Sequence, residues 1–242
     1  MDDPFAEPSN TREAILGAAF RALRKHGYAS VTIQRIGDEF DKSPSLVYHH
    51  YDGKDDLLID LMGFLLDAFE ASVAAGRETE GEAAGGAEAP EMPRGEAFER
   101  SAREQLDTYL TAAVDPASLD QAYAPDARFV TVMTELRSQA ANDEAYREHF
   151  DRSDRVFGEY LERLVREAAA GSPRDDTGAA GDGEPVTAAQ VAATLQTFAT
   201  GGMFRWATTN EGTWVADSRA GIDRYLQAVL PLVETDESVG EA

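Results

Sequence analysis

The chain has 242 residues, 43% of them apolar, which is enough to form one large or two small globular domains. It contains no cysteine, which excludes disulfides and thiolate chemistry, and no run of about 18 apolar residues that could cross a membrane. The net charge of −23 argues against nucleic-acid binding by the chain as a whole. The N-terminus lacks the basic start and apolar run of a secretory signal, so we expect a cytoplasmic protein without a membrane partner.

The charge is distributed unevenly along the chain. Residues 11–58 carry seven basic and seven acidic side chains and are therefore neutral, whereas residues 59–242 carry a net charge of −20. Only three of the 22 basic residues are lysines. An acid-rich, lysine-poor composition is typical of halophilic proteins, because in molar salt the Debye length is only about 3 Å and self-repulsion is screened. The alternative is an acidic protein from a GC-rich genome.

The spacing of apolar residues predicts that the first three elements are helices. The first runs from Thr11 to His26 and ends at Gly27, a residue type that commonly terminates helices. The second begins after Thr32, whose hydroxyl can cap its free amides. The third starts at Ser43-Pro44, a capping side chain followed by proline, and reaches Tyr51.

Longer helices follow. The fourth is predicted from Lys54 to about Ala75, and the last from about Asp217 to Val233. Two stretches rich in Gly, Ala, Glu and Pro, at residues 76–95 and 171–186, are predicted to be flexible. The intervening helices are predicted at residues 98–113, 128–138, about 27 residues around 146–168, and from 187 onward. Because no alternating strand pattern occurs, we expect an all-α protein of nine or ten helices.

The second and third helices, joined by a three-residue turn at residues 41–43, have the lengths of a helix-turn-helix. At 100° per residue, Val47 and Tyr51 share one face of the third helix, which we expect to pack inward. Ser45 and His49 share the opposite face. Small, polar and aromatic side chains there suit a DNA major groove and the phosphates at its rim.

Lys54 is predicted in the first turn of the fourth helix, where the helix dipole disfavours a cation. A bound phosphate would remove this conflict, because the helix amides and the ammonium group could hold it together. The alternative is that Lys54 is a surface lysine paired with Asp55 or Asp56.

The run from Thr32 to Leu58 resembles the DNA-binding domain of TetR-family regulators. That family has a second helix opened by threonine, a recognition helix ending in a Tyr-His-Tyr-Phe-like run, and then a turn and a lysine. Here these features are Thr32, Tyr48-His49-His50-Tyr51 and Lys54. The resemblance implies a sequence-specific DNA-binding transcriptional regulator, most often a ligand-responsive repressor that binds a near-palindromic operator as a homodimer.

The resemblance also implies which residues contact DNA. Phosphate contacts are expected from Thr32, Tyr48 and Lys54, and contacts near bases or the adjacent backbone from Gln34, Arg35, Ser45 and His49. The complete expected set is Thr32, Gln34, Arg35, Lys42, Ser43, Ser45, Tyr48, His49 and Lys54. Asp41 and Lys42 depart from the family's usual turn glycine and apolar turn residue, although aspartate tolerates a left-handed backbone.

Residues 1–58 are therefore assigned to a DNA-binding domain and residues 59–242 to a ligand-binding and dimerisation domain. In the family, the C-terminal domain encloses a small-molecule pocket and two late helices dimerise. The candidate pocket residues are Tyr109, Phe129, Met133 and Phe157, with plain core packing as the alternative. The pair Gly201-Gly202 could allow close helix approach at a dimer interface, or could mark a kink.

Other functions receive less support from the sequence. Glu144, Glu148 and His149 lie close together on one predicted helix, but no partner helix repeats the pattern, so we expect no metal site. No phosphate loop, nucleophile elbow or acid–base pair is recognisable, so we expect neither an enzyme nor a cofactor. The alternative function is a helical-bundle enzyme or adaptor without DNA binding, which leaves the neutral segment at residues 11–58 unexplained.

Overall fold

The computed structural model describes Phe5 and residues 7–40, 45–78, 101–119, 127–170 and 186–230. In this part of the chain all regular structure is helical, with no strand, which confirms the predicted fold class. None of the helices in these ranges has the length and apolarity needed to cross a membrane. The α-helices are α1 (Thr11–His26), α2 (Ile33–Asp38), α3 (Ser45–His50), α4 (Lys54–Glu78), α5 (Ala102–Val114), α6 (Ala127–Gln139), α7 (Glu144–Ala170), α8 (Ala188–Thr208) and α9 (Thr213–Val229).

Local sequence signals explain several of the helix ends. The side-chain oxygen of Asn10 accepts the backbone N–H of Glu13 in the first turn of α1. Gly27 follows that helix with a φ of 72°, a left-handed backbone that glycine adopts without strain. Ser101 and Thr187 are the N-cap residues of α5 and α8, and each forms a capping box. In a capping box, the side chain of the N-cap residue and that of the third helical residue each accept the other residue's backbone N–H. These ends are therefore determined by short-range hydrogen bonds.

Three helices depart from the expected bounds by three or more residues. Helix α5 begins at Ala102, four residues after the expected start at 98, because Ser101 caps it. Helix α4 continues to Glu78, so the first three residues of the predicted flexible stretch at 76–95 are helical. A glycine such as Gly76 costs a helix only about 1 kcal/mol, which the preceding long helix tolerates. Helix α9 begins at Thr213, four residues before the expected start, and Gly212 provides no side-chain cap that could have marked it. Residues 79–95 and 171–185 of the predicted flexible stretches lie outside the described residues.

The described residues form two hydrophobic cores. The first joins α1–α4 to Val132 and Leu136 of α6 and to Tyr146 and Phe150 of α7. The second lies among α5, the C-terminal half of α7, α8 and α9. At 27 residues, α7 is about 40 Å long and therefore reaches both cores. The N-terminal helices thus pack directly on α6 and α7 without an intervening spacer.

Gly202 allows α8 to approach α5 within the chain. It is buried, and a Cβ atom there would lie 2.5 Å from Val114 Cγ1 and 3.3 Å from the carbonyl oxygen of Ala113. Gly201 is exposed, with nothing within 4 Å of a Cβ atom at that position. The close helix approach at Gly202 therefore occurs within the chain, and a role of this glycine pair at a dimer interface stays a prediction.

Candidate DNA-binding surface

Helix α3 has one buried and one exposed face. Val47 is fully buried and Tyr51 is 8% exposed, and both belong to the first core. On the other side, Ser45 and His49 are exposed and Tyr48 is 66% exposed. An exposed tyrosine of this extent on a short, well-anchored helix is available to a partner surface. The periodicity of the sequence correctly predicted which residues point inward and which outward.

Helix α2 is anchored by the side chain at its start. The Thr32 hydroxyl oxygen accepts the N–H of Arg35 at 3.2 Å, which leaves the hydroxyl hydrogen available to donate to a phosphate oxygen. Gln34 and Arg35 are exposed, and the guanidinium of Arg35 donates to the Ser30 carbonyl oxygen at 2.5 Å. Lys42 and Ser43, the two turn residues of the expected DNA-contacting set, lie outside the described residues.

Lys54 lies against the aromatic ring of Tyr28, a residue that is not among the predicted DNA contacts. Its ammonium nitrogen is 3.6 Å from the centroid of the Tyr28 ring and 3.5 Å from the Tyr28 carbonyl oxygen. Oδ1 of the Asp55 carboxylate is 3.9 Å from the same nitrogen. The pairing with Asp55 that we considered as the alternative is therefore present, although the shorter distance is to Tyr28. A cation held over an aromatic face remains accessible from its other side.

Tyr28 and Asp55 connect the N-terminal helices to α6 and α7. The hydroxyls of Tyr28 and Tyr146 both donate to Asp55 Oδ1 at 2.9 Å. The backbone N–H of Tyr28 donates to Glu135 Oε2 of α6 at 2.8 Å. Burial raises the pKa of Tyr146, and the neighbouring Asp55 carboxylate raises it further. We call Tyr28, Asp55, Glu135 and Tyr146 the junction, since they join the helix-turn-helix to the rest of the chain.

A second network fixes the end of α3. The Tyr51 hydroxyl donates to Asp60 Oδ2 at 2.6 Å, and Arg12 donates to the same carboxylate through Nε at 2.9 Å. Burial raises the pKa of Asp60, but hydrogen bonds from Arg12 and Tyr51 outweigh it, so that this pKa lies below its ordinary value. The carboxylate is therefore ionised at neutral pH and ties α3 to both α1 and α4.

The candidate ligand residues fall into two groups. Tyr109 and Phe157 are in contact, with ring centroids 6.0 Å apart, and Phe69 of α4 packs on Phe157 at 4.7 Å. Phe129 and Met133 instead pack against the first core. Phe69 could not be recognised from the sequence, because its position in the apolar pattern of α4 resembles that of any core residue. The structure therefore assembles an aromatic cluster of Phe69, Tyr109 and Phe157.

A groove of about 420 Å³ lies between α8 and α9. Its lining residues are Val114, Phe198, Gly201, Gly202, Arg205, Trp214, Ser218, Gly221 and Ile222. The adjoining surface of α8 carries two exposed aromatic side chains, Phe198 at 39% and Phe204 at 59% exposure. An apolar surface of this kind at the outer helices is typical of a protein–protein contact.

The N-terminal helices agree with a known family of regulators. Residues 15–61 match the family model described as bacterial regulatory proteins, tetR family. Residues 15–61 form a TetR-family helix-turn-helix domain. The chain is also 34% identical over 55 residues to the HTH-type transcriptional repressor AcnR of Corynebacterium glutamicum, a match that covers 23% of this chain and 29% of the repressor. The chain thus matches less than a third of that relative's length.

Solved structures extend the similarity beyond the TetR-family domain. A TetR transcription regulator from Haloarcula marismortui is 26% identical, with a TM-score of 0.61 over 92% of this chain and 98% of that chain. A transcriptional regulator from Saccharomonospora viridis, solved in complex with choline, is 20% identical with a TM-score of 0.59, covering 92% and 97% of the two chains. The helices that follow the TetR-family domain therefore have the fold found in these proteins.

Proposed function

We propose that this protein is a sequence-specific DNA-binding transcription regulator, acting in the cytoplasm as a ligand-responsive repressor. The observation that carries the proposal is the exposed face of α3 in a TetR-family domain, where Tyr48 and His49 project from a helix anchored by Val47 and Tyr51. Recognition helices of this kind enter the major groove. Their exposed side chains then contact base edges and the adjoining phosphates.

The individual roles follow from chemistry and position. Thr32, Tyr48 and Lys54 are proposed to contact phosphates, because each offers a hydrogen-bond donor near an end of α2, α3 or α4. Ser45 and His49 are proposed to meet base edges or the adjacent backbone. Gln34 and Arg35 of α2, with Lys42 and Ser43 of the turn, complete the proposed interface. Tyr28 positions the Lys54 ammonium in this scheme.

A second copy of the chain is the proposed partner at α8 and α9. Phe198 and Phe204 would be buried against the partner's α8–α9 surface, with the groove between these helices receiving an aromatic side chain. A two-fold dimer would place two recognition helices about 34–36 Å apart, one turn of DNA. The expected operator is then near-palindromic.

A small molecule is proposed to control DNA binding from within the C-terminal helices. The aromatic cluster of Phe69, Tyr109 and Phe157 lies between helices that also carry the junction, since Phe69 is on α4 and Phe157 on α7. A ligand that moved α4 or α7 would change the position of Asp55 or Tyr146, and with it that of Tyr28 and Lys54. The Saccharomonospora neighbour was solved with choline, so a protein of this fold can hold a small molecule.

High salt is the proposed working condition. With a charge of −20 outside the neutral segment, the C-terminal region repels both itself and DNA at low ionic strength. In molar KCl that repulsion is confined to about 3 Å, whereas direct contacts in the groove persist. The composition is therefore proposed to reflect a halophilic cytoplasm.

The proposal can be tested by selecting binding sites for the full chain from random double-stranded DNA in about 1 M KCl. We expect a near-palindromic consensus with half-sites one helical turn apart. His49→Ala should alter the consensus, whereas His50→Ala, the matched control on the adjacent position, should leave it unchanged because it projects about 100° away. Failure to enrich any sequence, or a consensus that depends on His50 and not on His49, would contradict the proposal.

A further inference from the structure

Helix α3 is too short to fix its own orientation. It has six residues, Ser45–His50, and isolated helices of this length are not stable in water. Val47 is the one residue of α3 that is fully buried, with Leu46 partly buried beside it. Apolar contacts have no preferred direction, so they leave the helix some freedom to rotate or tilt. The direction in which Ser45 and His49 point therefore depends on a further attachment.

That attachment is Tyr51, which directly follows α3. Its backbone N–H donates to the Val47 carbonyl oxygen at 3.0 Å, so the residue completes the last turn. It is 8% exposed in the first core, and its hydroxyl donates to Asp60 Oδ2 of α4 at 2.6 Å. A phenylalanine, with which the TetR-family run ends, would fill the same core position without this bond. The hydroxyl therefore adds a directional contact that the packing of the ring does not need.

Asp60 is itself held by Arg12 of α1. Nε of Arg12 donates to Oδ2 at 2.9 Å and Nη2 donates to Oδ1 at 2.5 Å, and two parallel bonds of this kind fix the plane of a carboxylate. Arg12 lies in the first turn of α1, where the helix dipole disfavours a cation, and the Asp60 carboxylate offsets that cost. The carboxylate thus receives the Tyr51 hydroxyl in an orientation that a second helix determines.

We propose that Asp60 is a positioning residue for the recognition helix: through the Tyr51 hydroxyl it fixes the angle at which α3 presents Ser45 and His49 to base edges. This inference rests on the proposed function. Base-edge contacts carry the sequence information, and a binding group displaced by about 1 Å loses its productive geometry. Phosphate contacts carry no sequence information, because every DNA sequence offers them. Asp60 therefore controls the discrimination between operator and random DNA more than the affinity for DNA in general.

Tyr51→Phe tests the proposal, since it keeps the ring and removes only the hydroxyl. Fluorescence anisotropy with the full chain measures the affinities for the operator that the wild-type chain selects and for random DNA of the same length. We expect the ratio of the two affinities to fall about tenfold, the equivalent of one hydrogen bond to a charged group. The matched control is Tyr160→Phe, which removes a hydroxyl bonded to Gln105 Oε1 at 3.2 Å in the C-terminal helices and should leave the ratio unchanged. An unchanged ratio in Tyr51→Phe, or an equal fall in Tyr160→Phe, would overturn the proposal.

A double-mutant cycle shows whether the hydroxyl acts through Asp60. Asp60→Ala should lower the affinity ratio at least as much as Tyr51→Phe does, and adding Tyr51→Phe to Asp60→Ala should lower it no further. A general loss of stability would reduce the folded fraction and so weaken binding to both DNAs alike, which leaves their ratio unchanged. Additive effects of the two substitutions on the ratio would contradict the role of Asp60.

Hydrogen exchange without DNA separates this inference from the proposed function. We expect the amides of residues 45–51 to exchange faster in Tyr51→Phe and in Asp60→Ala than in the wild-type chain, and to be unaffected by Tyr160→Phe. Unchanged exchange at residues 45–51 would overturn the inference even if the wild-type chain selects an operator. If the wild-type chain selects none, the proposed function fails. Faster exchange would then still assign the positioning of α3 to Asp60, and only its link to base recognition would be lost.

Discussion

The TetR-family domain and the C-terminal helices use charge differently. Residues 11–58 are neutral, and several of their cations are held by neighbouring groups: Lys25 lies 2.6 Å from Glu39, and Lys54 lies over Tyr28. The exposed face of α3 carries no Asp, Glu, Lys or Arg side chain. This domain therefore reduces repulsion from DNA, and does not offer an excess of positive charge.

The C-terminal helices carry the acidity and use their arginines to join helices. Arg152 of α7 pairs with both Asp67 and Glu70 of α4, and Arg219 of α9 pairs with Asp107 of α5 at 2.9 Å. These pairs are partly exposed, so each contributes little by itself in water. The comparison indicates that the proposed DNA-binding surface must rely on shape and hydrogen bonding more than on net positive charge.

The largest expected effect comes from separating the two copies. Phe204→Asp places a charge on the exposed apolar surface of α8, and should convert a dimer to a monomer and weaken operator binding about 100-fold or more, because two linked half-sites are lost. Sedimentation velocity and fluorescence anisotropy measure the two effects. Val186→Asp, at another exposed apolar residue just before α8, is the control and should remain dimeric. A monomeric wild-type chain at micromolar concentration would contradict the dimer.

Tyr48 should contribute equally to the binding affinity for every DNA sequence. Tyr48→Ala removes the exposed hydroxyl that we propose as a phosphate donor, and should weaken binding to operator and to random DNA about tenfold per half-site. Tyr48→Phe separates the hydroxyl from the ring and should account for most of the loss. Electrophoretic mobility shifts on both DNAs provide the measurement. A change of consensus with Tyr48→Ala would instead place this residue at a base edge.

Within the junction, the hydrogen bond of the more deeply buried tyrosine should contribute more to the free energy of unfolding. Tyr146 is 1% exposed, so Tyr146→Phe should lower the free energy of unfolding by about 1.5 kcal/mol, the lower end for a hydrogen bond to a charged group. Tyr28→Phe removes a donor to the same Asp55 oxygen from a half-buried position and should have a smaller effect. Urea unfolding in high KCl tests the order of the two variants. The reverse order would contradict the role assigned to burial.

Salt should have the smallest effect on operator binding. Ordinary DNA-binding proteins lose affinity with a slope of about −0.9 per neutralised phosphate. Because the TetR-family domain is neutral and the C-terminal region repels DNA at low salt, we expect a slope shallower than about −2, or an inverted one, between about 0.1 and 2 M KCl. Circular dichroism should follow folding in parallel. A steep loss of affinity by a chain that stays folded would exclude both the mechanism and the halophilic interpretation.

Much of the fold was predictable because its signals are local. The bounds of α1, the 27-residue length of α7 and the inward face of α3 all follow from helical periodicity and capping within a few residues. The start of α9 was missed because Gly212 provides no capping side chain, so packing against the second core decides it. The end of α4 was also predicted too early, because Gly76 does not end this long helix.

The sequence by itself determined the helical class, the helix-turn-helix and the exposed residues of α3, because each depends on spacing along a single helix. Only the tertiary structure decided which distant residues meet. The Tyr28 ring centroid lies 3.6 Å from the Lys54 ammonium, Glu135 accepts the Tyr28 N–H across 107 positions, and the Tyr109 ring packs against Phe157. These contacts depend on how helices pack, and periodicity within one helix contains no information about the register and angle at which another helix crosses it.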